Sequence, residues 1–357
     1  MRSEQDALDQ IDQARSRRLK LTDERVTMAH GAGGQAAAAL IHAVFIEAFG
    51  APRAEELTDA AILDTIGGRI AFTTDSYVVQ PIRFPGASIG ELAVNGTVND
   101  LAVSGAQPRW LSAGFILEEG LAMDELRAVV ADMAHAAAKA GVRIVTGDTK
   151  VVPHGTADKL FINTAGIGIV PPERQLGAQR VSPGDKVILS GPIAAHGMAV
   201  MIARGNLAIS AAISSDSAPV NHWVEALYAS VEPGAVRWMR DPTRGGVGTV
   251  TNELARDSNQ GIMLDDEAIA VEPAVRGACD MLGIDPLYVA NEGCFLAVVA
   301  PTAAGAAIQA LRTAGAAQAA IVGEIVPDLP GLVAVRNAFG GTRLMDMLVT
   351  DPLPRIC

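Results

Sequence analysis

Aromatic side chains are scarce here, at 4% of residues, yet the chain is 49% hydrophobic, so its cores must be built from aliphatic groups. Only three cysteines occur, Cys279, Cys294 and Cys357, and none forms a CxxC pair, which argues against a disulfide framework or a zinc ribbon. Positive charge is also short: the net charge of −12 makes nucleic acid an unsuitable partner, although it leaves room for ATP, whose phosphates are bound locally. No uninterrupted apolar run is long enough to span a membrane, and the first residues, Met1-Arg-Ser-Glu-Gln, are polar and unlike a signal peptide. A soluble, cytoplasmic protein is expected. Its 357 residues suffice for two domains with real cores.

What the chain does have is punctuation by 36 glycines. Residues 1–27 are a polar extension to which no chemistry is assigned. The loop Met28-Ala-His-Gly-Ala-Gly-Gly-Gln35 runs into an apolar stretch of helical length over 36–49, and is either an anion-binding turn or a plain loop. Residues 69–79 read as a strand with Asp75 in its polar centre, 89–104 as a mostly buried helix, and 123–140 as a second helix stopped by Gly141. Residues 142–145 read as a short buried strand delivering Thr146-Gly-Asp-Thr-Lys150 at its end, and 161–170 as another strand. A proline- and glycine-bearing connection over 171–184 places a domain boundary near 180. Beyond it, helices over 220–230, 246–257 and 302–315 alternate with strands over 186–190, 261–264, 295–300, 320–326 and 332–336. The pattern is α+β, with helices expected on one side of each sheet.

Asp75, Asp100 and Asp148 each sit beside small or polar residues. They are either separate caps and turns or oxygen ligands of the kind Mg²⁺ prefers. Asp241-Pro-Thr-Arg-Gly-Gly246 puts an acid, an arginine and two glycines at a helix start, and Asn291-Glu-Gly293 puts a carboxylate at a turn. The last residues, Asp351-Pro-Leu-Pro-Arg-Ile-Cys357, should be extended because Pro352 and Pro354 fix φ. Their cysteine is either incidental to a frayed terminus or the nucleophile of a carrier arm.

In combination these segments are more specific. His30-Gly-Ala-Gly-Gly-Gln35, Phe72-Thr-Thr-Asp-Ser76, Asn99-Asp100, Gly114-Phe-Ile-Leu-Glu-Glu-Gly120, Thr146-Gly-Asp-Thr-Lys150, Lys159-Leu-Phe-Ile-Asn-Thr-Ala-Gly166, Asp241-Pro-Thr-Arg-Gly-Gly246, Asn291-Glu-Gly293 and Pro354-Arg-Ile-Cys357 follow the order of the HypE family of hydrogenase maturation proteins. From about residue 28 onward the chain resembles that family, part of the PurM-like superfamily that includes aminoimidazole ribonucleotide synthetase and selenide–water dikinase. The terminal Pro-Arg-Ile-Cys sets HypE apart within it.

The resemblance implies a two-domain PurM-like fold: an ATP-binding domain over 28–180, a second domain over 181–345 with its sheet flanked by helices, and a tail over 346–357. It implies a homodimer whose N-terminal sheets pair into a barrel. It also implies ATP-dependent dehydration of an S-carbamoyl group on Cys357 to a thiocyanate, supplying cyanide to nickel–iron hydrogenase. HypF would load the carbamoyl group and a HypC–HypD complex would receive the cyanide. Carried over residue by residue, Asp75, Asp100 and Asp148 would hold Mg²⁺ and, with Asn99, Thr146 and Gly147, the nucleotide. His30, Gly31, Gly33 and Gly34 would cover the phosphates, Asp241 and Arg244 would line the cleft, and Lys150 and Glu292 would serve proton transfer and carbamoyl positioning beside Cys357. Two departures stand out: Ala195 and Cys294 occupy positions where the family pattern has Asp and Lys. The rival expectations are a non-catalytic cyanide carrier and a small-molecule synthetase or kinase of the same superfamily, which would have no use for Cys357.

Overall fold

The computed structural model describes residues 34–40, 60–65, 67–205, 211–348 and 356–357. Helix α1 (Gly34–Leu40) comes first, followed by the hairpin of β1 (Ala61–Thr65) and β2 (Gly68–Tyr77). A short hairpin of β3 (Arg83–Phe84) and β4 (Ala87–Ser88) leads into α2 (Ile89–Val103). Then come β5 (Gln107–Glu118), α3 (Met123–Ala140), β6 (Arg143–Val152) and β7 (Leu160–Val170). The strands form one sheet in the order β1-β2-β7-β5-β6. Only β5 and β6 run parallel, because α3 connects them as a crossover.

Helix α2 is apolar around its whole circumference, and all its residues except Glu91 and Asp100 are buried. A helix of that composition must be covered on every side. One side lies on the sheet, where Thr164 of β7 donates to the Ala93 carbonyl at 2.9 Å. The other sides meet α3 and the second half of the chain. Gly141 ends α3 in the left-handed conformation, as its sequence position indicates. The sheet's opposite face carries no helix among the described residues, and Phe72, Trp110, Ile116 and Ile169 are exposed along it.

The second half contains β8 (Lys186–Leu189), α4 (Ala195–Ala203), α5 (Asn221–Ser230), β9 (Val236–Arg240) and α6 (Gly246–Ser258). It continues with β10 (Gly261–Asp265), α7 (Pro273–Leu282), β11 (Leu296–Val299), α8 (Ala304–Thr313), β12 (Ala320–Val326), β13 (Val333–Arg336) and β14 (Thr342–Met345). Its seven-stranded sheet runs β14-β13-β10-β12-β8-β11-β9. The expectation of helices on one side holds for the first sheet and fails here. Val187, Leu189, Leu296 and Val298 pack into one core with Met198 of α4 and Val247 of α6. Their neighbours Ile188, Ala297 and Val299 pack into another with Val224 of α5 and Leu311 of α8. The continuous apolar runs of β8 and β11 record this, since a strand buried on both faces has no polar alternation.

Polar side chains tie the halves together. Asn99 of α2 donates to the carbonyls of Ala218 (3.0 Å) and Glu292 (3.2 Å) and accepts from the Val220 amide (2.8 Å). Arg174 forms a two-pronged pair with Glu225 at 2.7 Å for each contact, and its guanidinium lies 4.1 Å from the Tyr228 ring centre. Replacing Asn99 with Ala removes the Asn99 bonds and leaves the Val220 amide buried without its acceptor. The expected cost is about 2–3 kcal/mol of stability, measured as a drop in the urea midpoint. An unchanged midpoint would show that the tie carries no net stability.

Candidate active site

Register decides where the acids of the first sheet point. Asp75 pairs with Thr164, and Thr164 faces α2, so Asp75 lies on the helix-covered side. The Tyr77 hydroxyl lies 3.4 Å from the Asp75 carboxylate, and burial followed by the charge of Asp75 raises that hydroxyl's pKa. Asp100 occupies the last turn of α2 and accepts from the Thr73 hydroxyl at 2.8 Å. A carboxylate there meets the negative end of the helix dipole and gains from a cation nearby. Asp75 and Asp100 are thus brought to one place through Thr73 and Tyr77.

The second half delivers the opposing wall. Asp241 follows β9, Arg244 precedes α6, and the 291–293 turn precedes β11. Asn291 fixes that turn, donating to the carbonyls of Pro242 (2.8 Å) and Val289 (2.9 Å) and accepting from the Ala194 amide (2.6 Å). A side chain on Gly293 would collide with the Asp216 carbonyl, so only glycine fits. Glu292 is buried at 3% exposure. Burial first, then the charges of Asp241, Asp216 and Asp75, push its carboxyl well above the usual range against the pull of Arg244. Cys357 is the leading influence holding the Arg244 guanidinium in its charged form, joined by Asp75, Glu292 and Asp100. These mutual influences place Cys357, Asp75, Asp100, Glu292 and Arg244 in one electrostatic site.

The end of the tail is docked in that site. Ile356 is 2% exposed, and its carbonyl lies 2.7 Å from His196 Nε2. A main-chain oxygen of Cys357 accepts from the Val78 amide at 3.2 Å, just beyond β2. Three residues at this place were not singled out by sequence reasoning: His196, Ser215 and Asp216. His196 stands directly after the unexpected Ala195, which was its only signal. Ser215 and Asp216 lie in a polar run without periodicity or motif.

Other residues are placed elsewhere. The expected short strand over 142–145 is instead a ten-residue strand, β6, with Thr146, Gly147, Asp148 and Lys150 in its middle. Thr149, Val151 and Val152 extend the β pattern past the glycine and the acid. The strand is not buried, since it forms the sheet's edge. Gly147 touches the Ala113 carbonyl so closely that a side chain there would collide. Asp148 pairs with Gly114, which puts it and Lys150 on the open sheet face. It lies three strand spacings from Asp75, about 14 Å. Lys150 binds Asp148 at 3.0 Å with both side chains 70% exposed, and the lysine's hydrogen bond lowers the Asp148 carboxyl below its usual range. Asn99 is fully engaged by main-chain groups of the second half. Gly34 is the first residue of α1, while His30, Gly31 and Gly33 lie outside the described residues. Among the described residues no group of three or more His, Cys, Asp or Glu is arranged for a metal. Cys294 is buried, and burial followed by Asp216 raises its thiol pKa well above the usual value.

Two sequence families describe this arrangement. The AIR synthase related protein N-terminal domain matches residues 57–170, and the corresponding C-terminal domain matches 182–333. The chain is therefore a two-domain protein of the AIR synthase-related class, with the PurM-like α+β fold. Carbamoyl dehydratase HypE of Rhodobacter capsulatus is 49% identical over 343 residues, covering 95% of this chain and 100% of that protein. The HypE chain of a HypE–HypF complex superposes with a TM-score of 0.82 at 42% identity, covering 87% of this chain and 100% of that one. A HypE crystal structure in complex with ATP superposes at 0.77 with 45% identity, covering 93% and 100%. The chain belongs to the HypE family.

Asp216 accepts from the amides of Glu292 (3.2 Å) and Gly293 (3.1 Å), and burial raises its carboxyl from 3.8 to about 6 despite those bonds. Folding then favours the protonated acid. Its contribution is complete below 3.8 and is lost as pH rises through 6. Relative to Asp216→Asn, the wild type should lose roughly 1–2 kcal/mol between pH 4 and pH 7 after allowance for partial solvent access. Thermal melts of both proteins across that range measure it, and parallel curves would contradict it.

Proposed function

We propose that this protein is a carbamoyl dehydratase that converts an S-carbamoyl group on Cys357 into a thiocyanate at the expense of ATP. The observation that carries the reading is Cys357 itself, docked beside Asp75, Asp100, Arg244 and Glu292. Dehydrating the carbamoyl group requires turning its oxygen into a leaving group. That oxygen attacks the γ-phosphorus of ATP, ADP departs, and the C–O bond then breaks to release phosphate as the nitrogen loses both protons and the C≡N bond forms. Arg244 would balance charge on the transferring phosphoryl group. Burial makes the Glu292 carboxylate more basic than an ordinary one, which suits a group that accepts a proton from the amide nitrogen.

Asp75 and Asp100 fit Mg²⁺ on the nucleotide: both are hard oxygen donors, and Asp100 sits at the negative end of a helix dipole. The ion would neutralise phosphate charge. Asp148, Thr146, Gly147 and Lys150 stand on β6. A part for the first three in binding ATP and for Lys150 in proton transfer is therefore a separate proposition, tested by Asp148→Asn and Lys150→Ala in the assay below. We further assign HypF as the source of the carbamoyl group, a HypC–HypD complex as the acceptor of cyanide, and the cytoplasm as the compartment. No helix among the described residues is long and apolar enough to cross a membrane. The exposed face bearing Phe72, Trp110, Ile116 and Ile169 suits a second copy of the chain, giving a homodimer through paired sheets.

Two outcomes test this reading. After incubation with HypF, carbamoyl phosphate and ATP, the C-terminal peptide of the wild type should gain one carbamoyl mass and then lose one water. Asp75→Asn and Asp100→Asn should stop at the carbamoyl mass, with dehydration slowed about 100-fold or more, while Cys357→Ala should show neither change. Thiocyanate made at the wild-type rate by the aspartate variants would remove them from the mechanism. In light scattering the wild type should be a dimer, and Trp110→Glu combined with Ile116→Arg should yield monomer. A wild-type monomer at all working concentrations would refute the pairing.

A further inference from the structure

His196 lies in the first turn of α4 and is wholly buried. Its backbone position is set from outside the helix. The preceding Ala194 adopts a left-handed φ of 74°, with its amide held by Asn291 at 2.6 Å. The ring stands edge-on to Phe84, with centroids 5.5 Å apart and planes at 82°. Apolar contact and backbone together leave the imidazole little freedom to rotate.

Its protons can be assigned from its neighbours. Ser215 Oγ accepts from the Ser217 amide at 3.0 Å, and His196 Nδ1 is 2.9 Å from the same oxygen. At the other edge, Nε2 faces the Ile356 carbonyl at 2.7 Å, which can only accept. A neutral ring satisfies both contacts in one tautomer: Ser215 donates to Nδ1 and Nε2 donates to Ile356. The other tautomer would set a lone pair against the carbonyl oxygen. Burial, which lowers the ring's pKa to about 4, keeps it neutral.

We propose that His196, oriented by Ser215, is the positioning residue that latches the cysteine-bearing tail into the site. This rests on the reading that Cys357 carries the reacting group. Two of the bonds that hold the tail fall on main-chain oxygens, Ile356 by His196 and Cys357 by Val78, and these two bonds do not involve the sulfur or whatever it carries. Free thiol, carbamoyl and cyano forms can therefore all be held by the same bonds. The latch also shares a support with the chemistry. Ser215 adjoins Asp216, whose carboxylate accepts the Glu292 and Gly293 amides, while the Ser215 amide is fixed to the Pro85 carbonyl at 2.8 Å. The residue that orients the latch and the residue that holds the Glu292 turn are thus consecutive. An uncharged hydrogen bond of this kind is directional enough to position the tail and weak enough to release it.

The test uses the full chain and reads the thiol directly. Iodoacetamide labelling of Cys357, Cys294 and Cys279 is followed by peptide mass spectrometry, without partner proteins. In His196→Asn the amide reaches the Nδ1 position but not the tail, whereas in His196→Gln it can place a donor near Nε2. Labelling of Cys357 should rise about tenfold in His196→Asn, the loss of one such bond, and return towards wild type in His196→Gln. Ser215→Ala, which releases the tautomer and leaves the ring in place, should fall between. Single-turnover dehydration of preloaded protein should slow in the same order, while loading by the carbamoyltransferase holds or quickens. Equal Cys357 labelling in wild type and His196→Asn overturns the latch, as does a His196→Gln variant no better than His196→Asn. A matching rise at the buried Cys279 and Cys294 also overturns it, because it would mark general loosening. Should the wild type never accept a carbamoyl group, the functional reading fails, while the labelling comparison still decides the latch.

Discussion

The structure depends on a buried seam of hydrogen bonds between α2 and the segment running through Ser215 to Val220. Asn95 reaches the Ser217 hydroxyl at 3.1 Å, while Asn99 grips Ala218, Val220 and Glu292. Burying amides in an apolar helix is costly unless their bonds are made. Asn99 makes its bonds to main-chain groups of the other half, while Asn95 donates to a hydroxyl there and its Oδ1 accepts no hydrogen bond among the described residues. Hydrophobic contact alone would allow the halves to slide. A register of donors and acceptors does not, and it fixes the wall bearing Glu292 against the wall bearing Asp75 and Asp100.

The site bounded by that seam is crowded with acids. Asp241, Asp216 and Asp75 act on Glu292, and Asp75, Glu292 and Asp100 act with Cys357 on Arg244. Such a group can be tolerated if some members take up protons, as the raised pKa values of Glu292 and Asp216 indicate, or if a cation is supplied. Both conditions suit a site that receives a metal-bound nucleotide and moves protons. The fold therefore carries an electrostatic deficit that binding relieves.

Much of the fold was legible from particular residues. The predominance of apolar and small residues over 89–103 announced a mostly buried helix, and Gly141 announced the end of the next one. Strand β5 was missed because a bulge between Pro108 and Trp110 and a glycine at 114 interrupt its alternation, and β9 because its arginines obscure a half-buried run. At the site, Asp75, Asp100, Glu292 and Cys357 could be named in advance because motif order carries them. His196, Ser215 and Asp216 could not, since their roles arise from a tail and a connecting segment that meet only after folding. The picture of Asp148 and Lys150 at the end of a buried strand failed because nothing local distinguishes a central strand from an edge.

That edge has a consequence of its own. Among the described residues strand β6 pairs on one side only, leaving the outward-pointing main-chain groups along it open to recruitment by a neighbouring chain. Arg143, Asp148 and Lys150 put alternating charge on the open face where it meets this edge, and an incoming strand would have to strip these side chains of water. Further across that face, over β5, β7 and β2, the exposed groups are aromatic and branched aliphatic. The charged margin of the face resists strand addition at this edge, so the sheet is protected against ribbons that would grow without limit.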